Sequence, residues 1–173
     1  ILCWCLLLSM GVDQDIIAER MQFLSPVAMR LEMKTGINNC SVINDSYNSD
    51  IGSLRIALDF LNQQKQHPKR TIILSDILQS GRGEENLYGE VARLLNAKGI
   101  DRLIGIGPSI SRQQELFGLN KQFYANTEDF LRDFSPVDFK DETILLKGAV
   151  LPPEILQPLL VSTVLSMVLG TLV

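Results

Sequence analysis

The sequence predicts an α/β fold in which a mostly parallel sheet carries helices on both faces and begins with a β-hairpin. Short continuous apolar runs, typical of strands buried on both faces, recur along the chain. Between these runs lie segments whose apolar residues recur at helical spacing. Strands that alternate with helices indicate βαβ units, right-handed crossovers and hence parallel strands.

The first predicted elements are a helix and a hairpin. A helix over 13–24 has Asp13 or Asp15 as its cap and ends at the Ser25-Pro26 break. Residues 29–34 then alternate apolar and charged side chains, which predicts a half-buried strand. Residues 36–39 form the predicted turn, and Cys40–Ile43 form the second strand of the hairpin. The alternating positions predicted to face the core are Met29, Leu31 and Met33.

The remaining elements alternate regularly and complete a Rossmann-like arrangement. Four segments have the periodicity of amphipathic helices and four are short apolar strands. The predicted helices are Asp50 to about Gln66, Leu87 to Lys98, Ile110 to Phe117 and Thr127 to Phe134. The predicted strands are Thr71–Leu74, Leu103–Ile106, Gln122–Tyr124 and Thr143–Leu146.

Composition excludes several classes of protein. Of the 173 residues, 46% are hydrophobic and 21% are charged, with a net charge of -4, which excludes a disordered tail or a basic protein that coats nucleic acid. Three cysteines do not make a disulfide framework, so we expect a reducing, cytoplasmic location. Cys3 and Cys5 are predicted to be buried small hydrophobes. The one histidine, His67, is predicted to lie in a solvated loop, and it rules out a histidine-rich metal site.

Both ends of the chain are almost free of charge. Residues 1–12 carry none, and residues 149–173 carry only Glu154. We interpret the first as the last part of a helix cut from a longer protein. The second, from Ile155 to Val173, is interpreted as a helix followed by an unfinished strand, with a membrane span as the weaker alternative.

Polar side chains collect where the predicted strands end. They occur at 44–48, 75–76, 105–108 and 147–148. Ligands of parallel α/β sheets bind at this edge, so these segments are the candidate site. Gly105-Ile106-Gly107 favours a tight turn over a dinucleotide site, and the chain has no G-x-x-x-x-G-K-[ST] phosphate loop of its own.

One of these segments carries a family resemblance. Asn44-Asp45-Ser46-Tyr47-Asn48 resembles the Asp-Ser-Tyr-Asn motif that opens the C-terminal domain of Mur ligases of the D-alanyl-D-alanine-adding type. Three further segments agree in order and spacing, so the resemblance covers about residues 1–150. They are Pro26–Glu32, Leu74–Gly81 and Leu145–Ala149. Residues 38–40, 44–50 and 74–81 are also similar to the Bacteroidetes variant that is fused to an alanine racemase.

The resemblance implies a fragment of an ATP-dependent amide ligase of peptidoglycan synthesis that is inactive alone. Such enzymes form an acyl-phosphate from a carboxylate and ATP, and an amine then attacks it. The implied cofactors are ATP and Mg²⁺, bound mainly by a central domain. The implied partners are UDP-N-acetylmuramoyl-tripeptide, D-alanyl-D-alanine and a fused alanine racemase domain. The implied organisation is the end of the central domain over 1–25, the C-terminal domain over 26–150 and an apolar linker over 151–173.

The same resemblance gives roles to the residues at the strand ends. Arg30 and Asp45 would meet ATP when the domains close, with Tyr47 and Asn48 shaping the same loop. Ser46, Asp76 and Lys147 would face the substrate-side cleft, and Val150 stands where the family has an arginine.

Simpler roles remain open for each of these residues, because Arg30 can merely flank a strand and Asp45 can merely cap a turn. The alternative function is a flavodoxin-like binding or regulatory module. In it, Asp45, Asp76 and Lys147 would mimic the pocket of a phospho-receiver.

Overall fold

A six-stranded sheet forms the centre of the protein in a computed structural model that describes residues 2–23, 30–47, 49–78, 81–148 and 159. The strand order is β1-β2-β6-β3-β4-β5, with β1 antiparallel to β2 and all other neighbours parallel. The strands are β1 (Glu32–Thr35), β2 (Ser41–Asp45), β3 (Lys69–Ser75), β4 (Arg102–Ile106), β5 (Asn120–Tyr124) and β6 (Glu142–Lys147). The predicted hairpin and parallel sheet are therefore confirmed.

The helices lie near the predicted positions with different bounds: some are shorter than predicted, and two begin earlier, at Pro108 and at Glu84. They are α1 (Leu2–Ser9), α2 (Gln14–Met21), α3 (Ile51–Gln63), α4 (Glu84–Ala97), α5 (Pro108–Arg112) and α6 (Thr127–Asp133). Two 3₁₀ turns occupy Gln114–Leu116 and Pro136–Asp138. In the part of the chain that the structure describes, none of the helices has the length and apolar character needed to cross a bilayer.

Successive residues of the central strands point to opposite faces of the sheet, and each face has its own apolar core. Ile72 and Leu74 of β3 pack with the buried side of α3 and α4, whereas Ile73 packs with Phe130 of α6 and Phe139 on the other face. Burying each such side chain stabilises the fold by about 1.5–3 kcal/mol. Two cores divided by one sheet confirm the prediction of helices on both faces.

The first strand shows a prediction that was wrong. Met33 is 38% exposed, and Glu32 and Lys34 are the half-buried residues of β1. Leu31 adopts φ 50°, a left-handed conformation that interrupts the alternation just before the strand. Leu31 still packs against a core, but Met33 no longer shares its face.

Cys3 and Cys5 were also predicted wrongly, because both are exposed. They lie on α1, which packs against α2 and leaves an apolar groove of about 360 Å³ between the two helices, with Cys3, Trp4 and Leu7 on one side of it. His67 does lie in a loop, but it is half-buried and its Nε2 is 3.1 Å from Ser41 Oγ.

Several sequence interpretations fall outside the described residues. They concern Met29, Asn48, Val150, the 149–158 segment and the apolar 160–173 segment. Leu159 is described, and it is buried in the same core as Phe130 while its carbonyl accepts a hydrogen bond from the Ile37 amide at 2.9 Å.

Candidate functional site

A buried ion pair lies at the carboxyl ends of two neighbouring strands. Asp45 and Lys147 are register partners at the ends of β2 and β6, so the parallel pairing places them side by side. Lys147 Nζ donates to Asp45 Oδ2 at 2.7 Å, and the lysine side chain is only 1% exposed against 12% for the aspartate. A charge removed from water to this degree requires a partner, which Asp45 provides.

An exposed pair lies immediately beyond the end of β2. The Arg30 guanidinium stacks over the Tyr47 ring, with Cζ 4.1 Å from the ring centroid. Both side chains are exposed, and Tyr47 keeps 55% of its surface open. An arginine stacked on an aromatic ring is held in orientation while its N–H groups stay available to an anion or a planar ligand.

The loop between β2 and α3 is held by its own polar side chains. Asn44 Oδ1 accepts from the Ser46 hydroxyl at 2.7 Å, and both residues are buried. Asp50 begins α3 as its cap, accepting from the Ser53 amide at 2.8 Å. The Ser53 amide lowers the pKa of Asp50, as does the Ser53 hydroxyl, and the charge of Lys147 adds to the same direction.

Asp76, at the end of β3, is a structural junction, because its carboxylate bonds to groups on other elements, and it also borders the candidate site. Its carboxylate accepts from the amides of Ser109 and Ile110, at 3.1 and 2.8 Å, and from the Tyr88 hydroxyl at 3.2 Å. A Cβ placed on Gly107 would lie 2.4 Å from Asp76 Cγ, so this contact is possible only with glycine there.

A cavity of about 300 Å³ opens beside Asp76 at the carboxyl ends of β4 and β5. It lies at the edge where α/β sheets bind ligands. Its surface is mostly apolar, with a few polar groups at its border, as is usual for cavities that hold small ligands. Its lining residues are Asp76, Leu78, Ile106, Gly107, Pro108, Ala125, Asn126 and Thr127.

The predicted site residues thus form two contacting pairs and one separate junction. Arg30 contacts Tyr47 and Asp45 contacts Lys147, while Ser46 turns toward Asn44 and Asp76 toward α5. Asn48 lies outside the described residues. The phospho-receiver alternative loses support, because Asp76 is already satisfied by donors and the ammonium of Lys147 is paired with Asp45.

The described residues do not form a metal centre. No group of three His, Cys, Asp or Glu side chains within them could hold a metal ion.

Sequence reasoning missed two residues that shape the site, Ser49 and Tyr88, and it placed Asn44 in the site without its contact to Ser46. Ser49 Oγ donates to the Asp76 carbonyl at 3.0 Å. Tyr88 is fully buried, and burial raises the pKa of its phenol, which stays protonated and able to donate. The available signal was the position of Tyr88 on the apolar face of α4, since a buried tyrosine hydroxyl needs a partner.

Known proteins share both the sequence pattern and the fold. The family model described as "Mur ligase, glutamate ligase domain" matches residues 29–150. The UDP-N-acetylmuramoyl-tripeptide–D-alanyl-D-alanine ligase of Bacillus subtilis is 28% identical over 146 residues, which is 80% of this chain and 32% of that protein. The protein of the same name from Escherichia coli is 26% identical over 143 residues, 82% of this chain and 31% of that one. The chain therefore spans about a third of the length of these relatives.

Two solved structures show the same fold. A MurF structure from Acinetobacter baumannii has a TM-score of 0.68 at 19% identity, covering 87% of this chain and 34% of that one. The MurF ligase of Thermotoga maritima, solved in complex with ADP, has a TM-score of 0.67 at 17% identity, covering 89% and 35%. Because the family match extends from β1 through the end of β6, this chain belongs to the Mur ligase family, in the part that corresponds to its glutamate ligase domain.

Proposed function

We propose that this chain is the C-terminal part of an ATP-dependent ligase that joins D-alanyl-D-alanine to UDP-N-acetylmuramoyl-tripeptide. The relatives that support this proposal carry that name. In this proposal residues 1–25 end a central ATP-binding domain, residues 26–150 form the C-terminal domain, and residues 151–173 are a linker. The fragment by itself is inactive, because the phosphate loop belongs to the rest of the enzyme.

The observation that carries the proposal is the exposed Arg30–Tyr47 stack, two residues beyond the buried Asp45–Lys147 pair. The guanidinium offers N–H donors to phosphate oxygens, and the ring offers a flat apolar face. Arg30, Asp45, Tyr47 and Asn48 form the ATP side of the proposal, and of these Arg30 and Tyr47 are exposed for contact on closure. Asp45 contributes by pairing with Lys147, which fixes the end of β2, from which the loop begins.

The cavity beside Asp76 supplies the second half of the site. In the proposed reaction, ATP supplies the phosphoryl group that activates the tripeptide carboxylate. The residues of this chain then orient the incoming amine and exclude water from the activated carboxylate. On the substrate side, Asp76 lines this cavity, and a volume of about 300 Å³ accommodates a dipeptide. Ser46 and Lys147, which the proposal assigns to the same side, are buried at the ends of β2 and β6 and are not part of the cavity lining.

Two further parts of the proposal concern the whole parent protein. The similarity of residues 38–40 and 74–81 to the bifunctional variant supports an alanine racemase domain in the same polypeptide. The chemistry of nucleotide-linked wall precursors supports a cytoplasmic location. The coding sequence of the parent tests the first point, and cell fractionation tests the second.

The central experiment measures amide formation and phosphate release by the full-length parent. We expect both only when ATP, the muramoyl tripeptide and D-alanyl-D-alanine are present together. Arg30→Ala should raise the KM for ATP by roughly ten-fold, since a charge-assisted contact is lost. Arg132→Ala is the matched control, because Arg132 pairs with Asp129 on the surface of α6 and should leave the KM unchanged. Phosphate release that needs neither peptide substrate would contradict the proposal.

A further inference from the structure

Three loops at the carboxyl edge of the sheet meet at one residue. The loop after β2 reaches Asp76 through Ser49, whose hydroxyl donates to the Asp76 carbonyl at 3.0 Å. The loop after β4 reaches it through the amides of Ser109 and Ile110, which donate to the carboxylate. Asp76 itself follows β3, and its amide donates to the Ile106 carbonyl at 3.1 Å.

Helix α4 is connected to this junction through the buried hydroxyl of Tyr88. The Tyr88 hydroxyl donates to Asp76 Oδ1 at 3.2 Å and accepts from the Ile77 amide at 3.2 Å. Tyr88 is fully buried, so water cannot replace these two contacts if the hydroxyl is removed. Its position therefore fixes both Asp76 and the start of the segment that leads to Leu78.

The two regions that the junction connects are the two halves of the proposed site. Ser49 belongs to the same loop as Tyr47, which stacks with Arg30. Asp76 and Leu78 belong to the wall of the cavity. A displacement of Asp76 is thus transmitted to both regions, because each is hydrogen-bonded to it or continuous with it.

We propose that Ser49 and Tyr88 are positioning residues that act through Asp76 and set the spacing between the nucleotide-side loop and the dipeptide cavity. This inference rests on the proposed ligase function, and it adds residues that contact neither substrate. Ser49 sets the position of the Tyr47 loop, and Tyr88 sets the position of the cavity wall. Because both act on one residue, their effects are coupled.

Steady-state kinetics of the full-length parent test the inference. Ser49→Ala and Tyr88→Phe should each raise the KM for ATP and for D-alanyl-D-alanine by roughly three- to ten-fold, as expected for loss of a hydrogen bond. The KM for the muramoyl tripeptide should stay unchanged. A protein that is merely less stable would instead lose active fraction, which lowers kcat and leaves every KM the same.

Two matched variants and a double variant sharpen the kinetic test. Ser49→Thr keeps the hydroxyl and should restore the KM values of the wild type. Tyr124→Phe removes a hydroxyl that bonds Asp133 at 2.7 Å on the surface and should change none of them. In the double variant Ser49→Ala/Tyr88→Phe, the increase in each of the two KM values should be smaller than the product of the increases in the two single variants. Fully independent effects, or unchanged KM values in both single variants, would overturn the inference.

Hydrogen exchange separates the failure of this inference from the failure of the proposed function. Tyr88→Phe should speed backbone exchange at Ser46, Tyr47 and Ser49 by roughly three- to ten-fold, whereas Tyr124→Phe should not. Absence of ligation by the wild-type parent would refute the proposed function, and the exchange result would still decide whether the junction exists. Equal exchange in Tyr88→Phe and the wild type would overturn the inference even in an active enzyme.

Discussion

Lys147 is a buried lysine whose charge is balanced by the carboxylate of Asp45. Removing one member of such a pair leaves the other charged and desolvated, which costs more than the pair itself contributes. The two residues are therefore coupled in stability before any question of ligand binding arises.

Asp45→Ala should lower the free energy of unfolding by about 3 kcal/mol, because it leaves Lys147 without its carboxylate. The double variant Asp45→Leu/Lys147→Met should recover most of this loss. Urea denaturation of the full chain measures both. Lys98→Met is the control, since Lys98 pairs with Asp59 at the surface, and it should cost less than about 1 kcal/mol. Equal losses for Asp45→Ala and Lys98→Met would contradict this account.

Asp50 gives a prediction that depends on pH. Its pKa lies below the ordinary value of 3.8, chiefly through the Ser53 amide. The stabilisation from its charged form is therefore complete well above pH 3.8 and is lost as the pH falls through the lowered pKa. Asp50→Asn should be less stable than the wild type at about pH 7, and the difference should shrink toward about pH 3. Urea titrations at both values test this, with Asp59→Asn on the same helix as the control.

Among single residues, the positions of the site were predictable and their contacts were not. The order of elements placed Asp45 and Lys147 at the carboxyl edge of the sheet, as predicted. Their ion pair depends on the β2–β6 register, and the stack of Arg30 on Tyr47 depends on the backbone path after β2. The sequence carries no local signal for either, because the partners lie far apart along the chain.

At the scale of elements, the turn from β4 into α5 has the tightest backbone requirement. Gly107 has φ 137°, and its missing side chain leaves room for the Asp76 carboxylate that accepts from α5. Any other residue here has to displace Asp76 and distort the backbone together.

Gly107→Ala should cost about 2–3 kcal/mol in unfolding free energy, from the backbone conformation and the lost contacts of Asp76. Gly89→Ala is the matched variant, because Gly89 lies inside α4 with no atom within 4 Å of an added Cβ. It should raise stability by about 0.5–1 kcal/mol. Thermal unfolding of the two variants beside the wild type gives the comparison, and a stabilising Gly107→Ala would contradict it.

The buried face of an element was predictable from periodicity where the whole face is buried. The buried face of β1 was not predictable in this way. Leu54, Ala57, Leu58 and Leu61 define α3 in the sequence and are all buried in the structure. Just before β1, Leu31 takes a left-handed conformation that interrupts the alternation, and Met33 within the strand is exposed. Alternation predicts a strand, but it cannot show a single change of dihedral angle.

On the scale of the whole molecule, the two edges of the sheet hold different chemistry. At the amino edge the fully buried Glu142 accepts from Arg102 at 2.9 Å and from Lys69 at 3.4 Å, and it contacts Thr71. These partners lie on β3 and β4, on one side of β6, so this cluster ties three strands together. The carboxyl edge carries the exposed pair and the cavity.

Glu142→Gln should therefore lower unfolding free energy by about 3 kcal/mol, because Arg102 loses its buried counter-charge. The KM for ATP in the parent should not change. Arg30→Ala should show the reverse, with stability within about 0.5 kcal/mol of the wild type and a raised KM. Denaturation and kinetics on the same two preparations separate the edges. A raised KM in Glu142→Gln at full folding would show that the edges are not independent.

The position of β6 has a consequence for how the protein is made. This strand is the last of the sheet in the sequence but lies between β2 and β3 in space. Before Glu142–Lys147 has left the ribosome, no strand joins β2 of the hairpin to β3 of the β3-β4-β5 sheet. Both parts then have unpaired strand edges. A nascent chain stopped before β6 is therefore exposed to aggregation, and the sheet is completed only after its last described strand has been made.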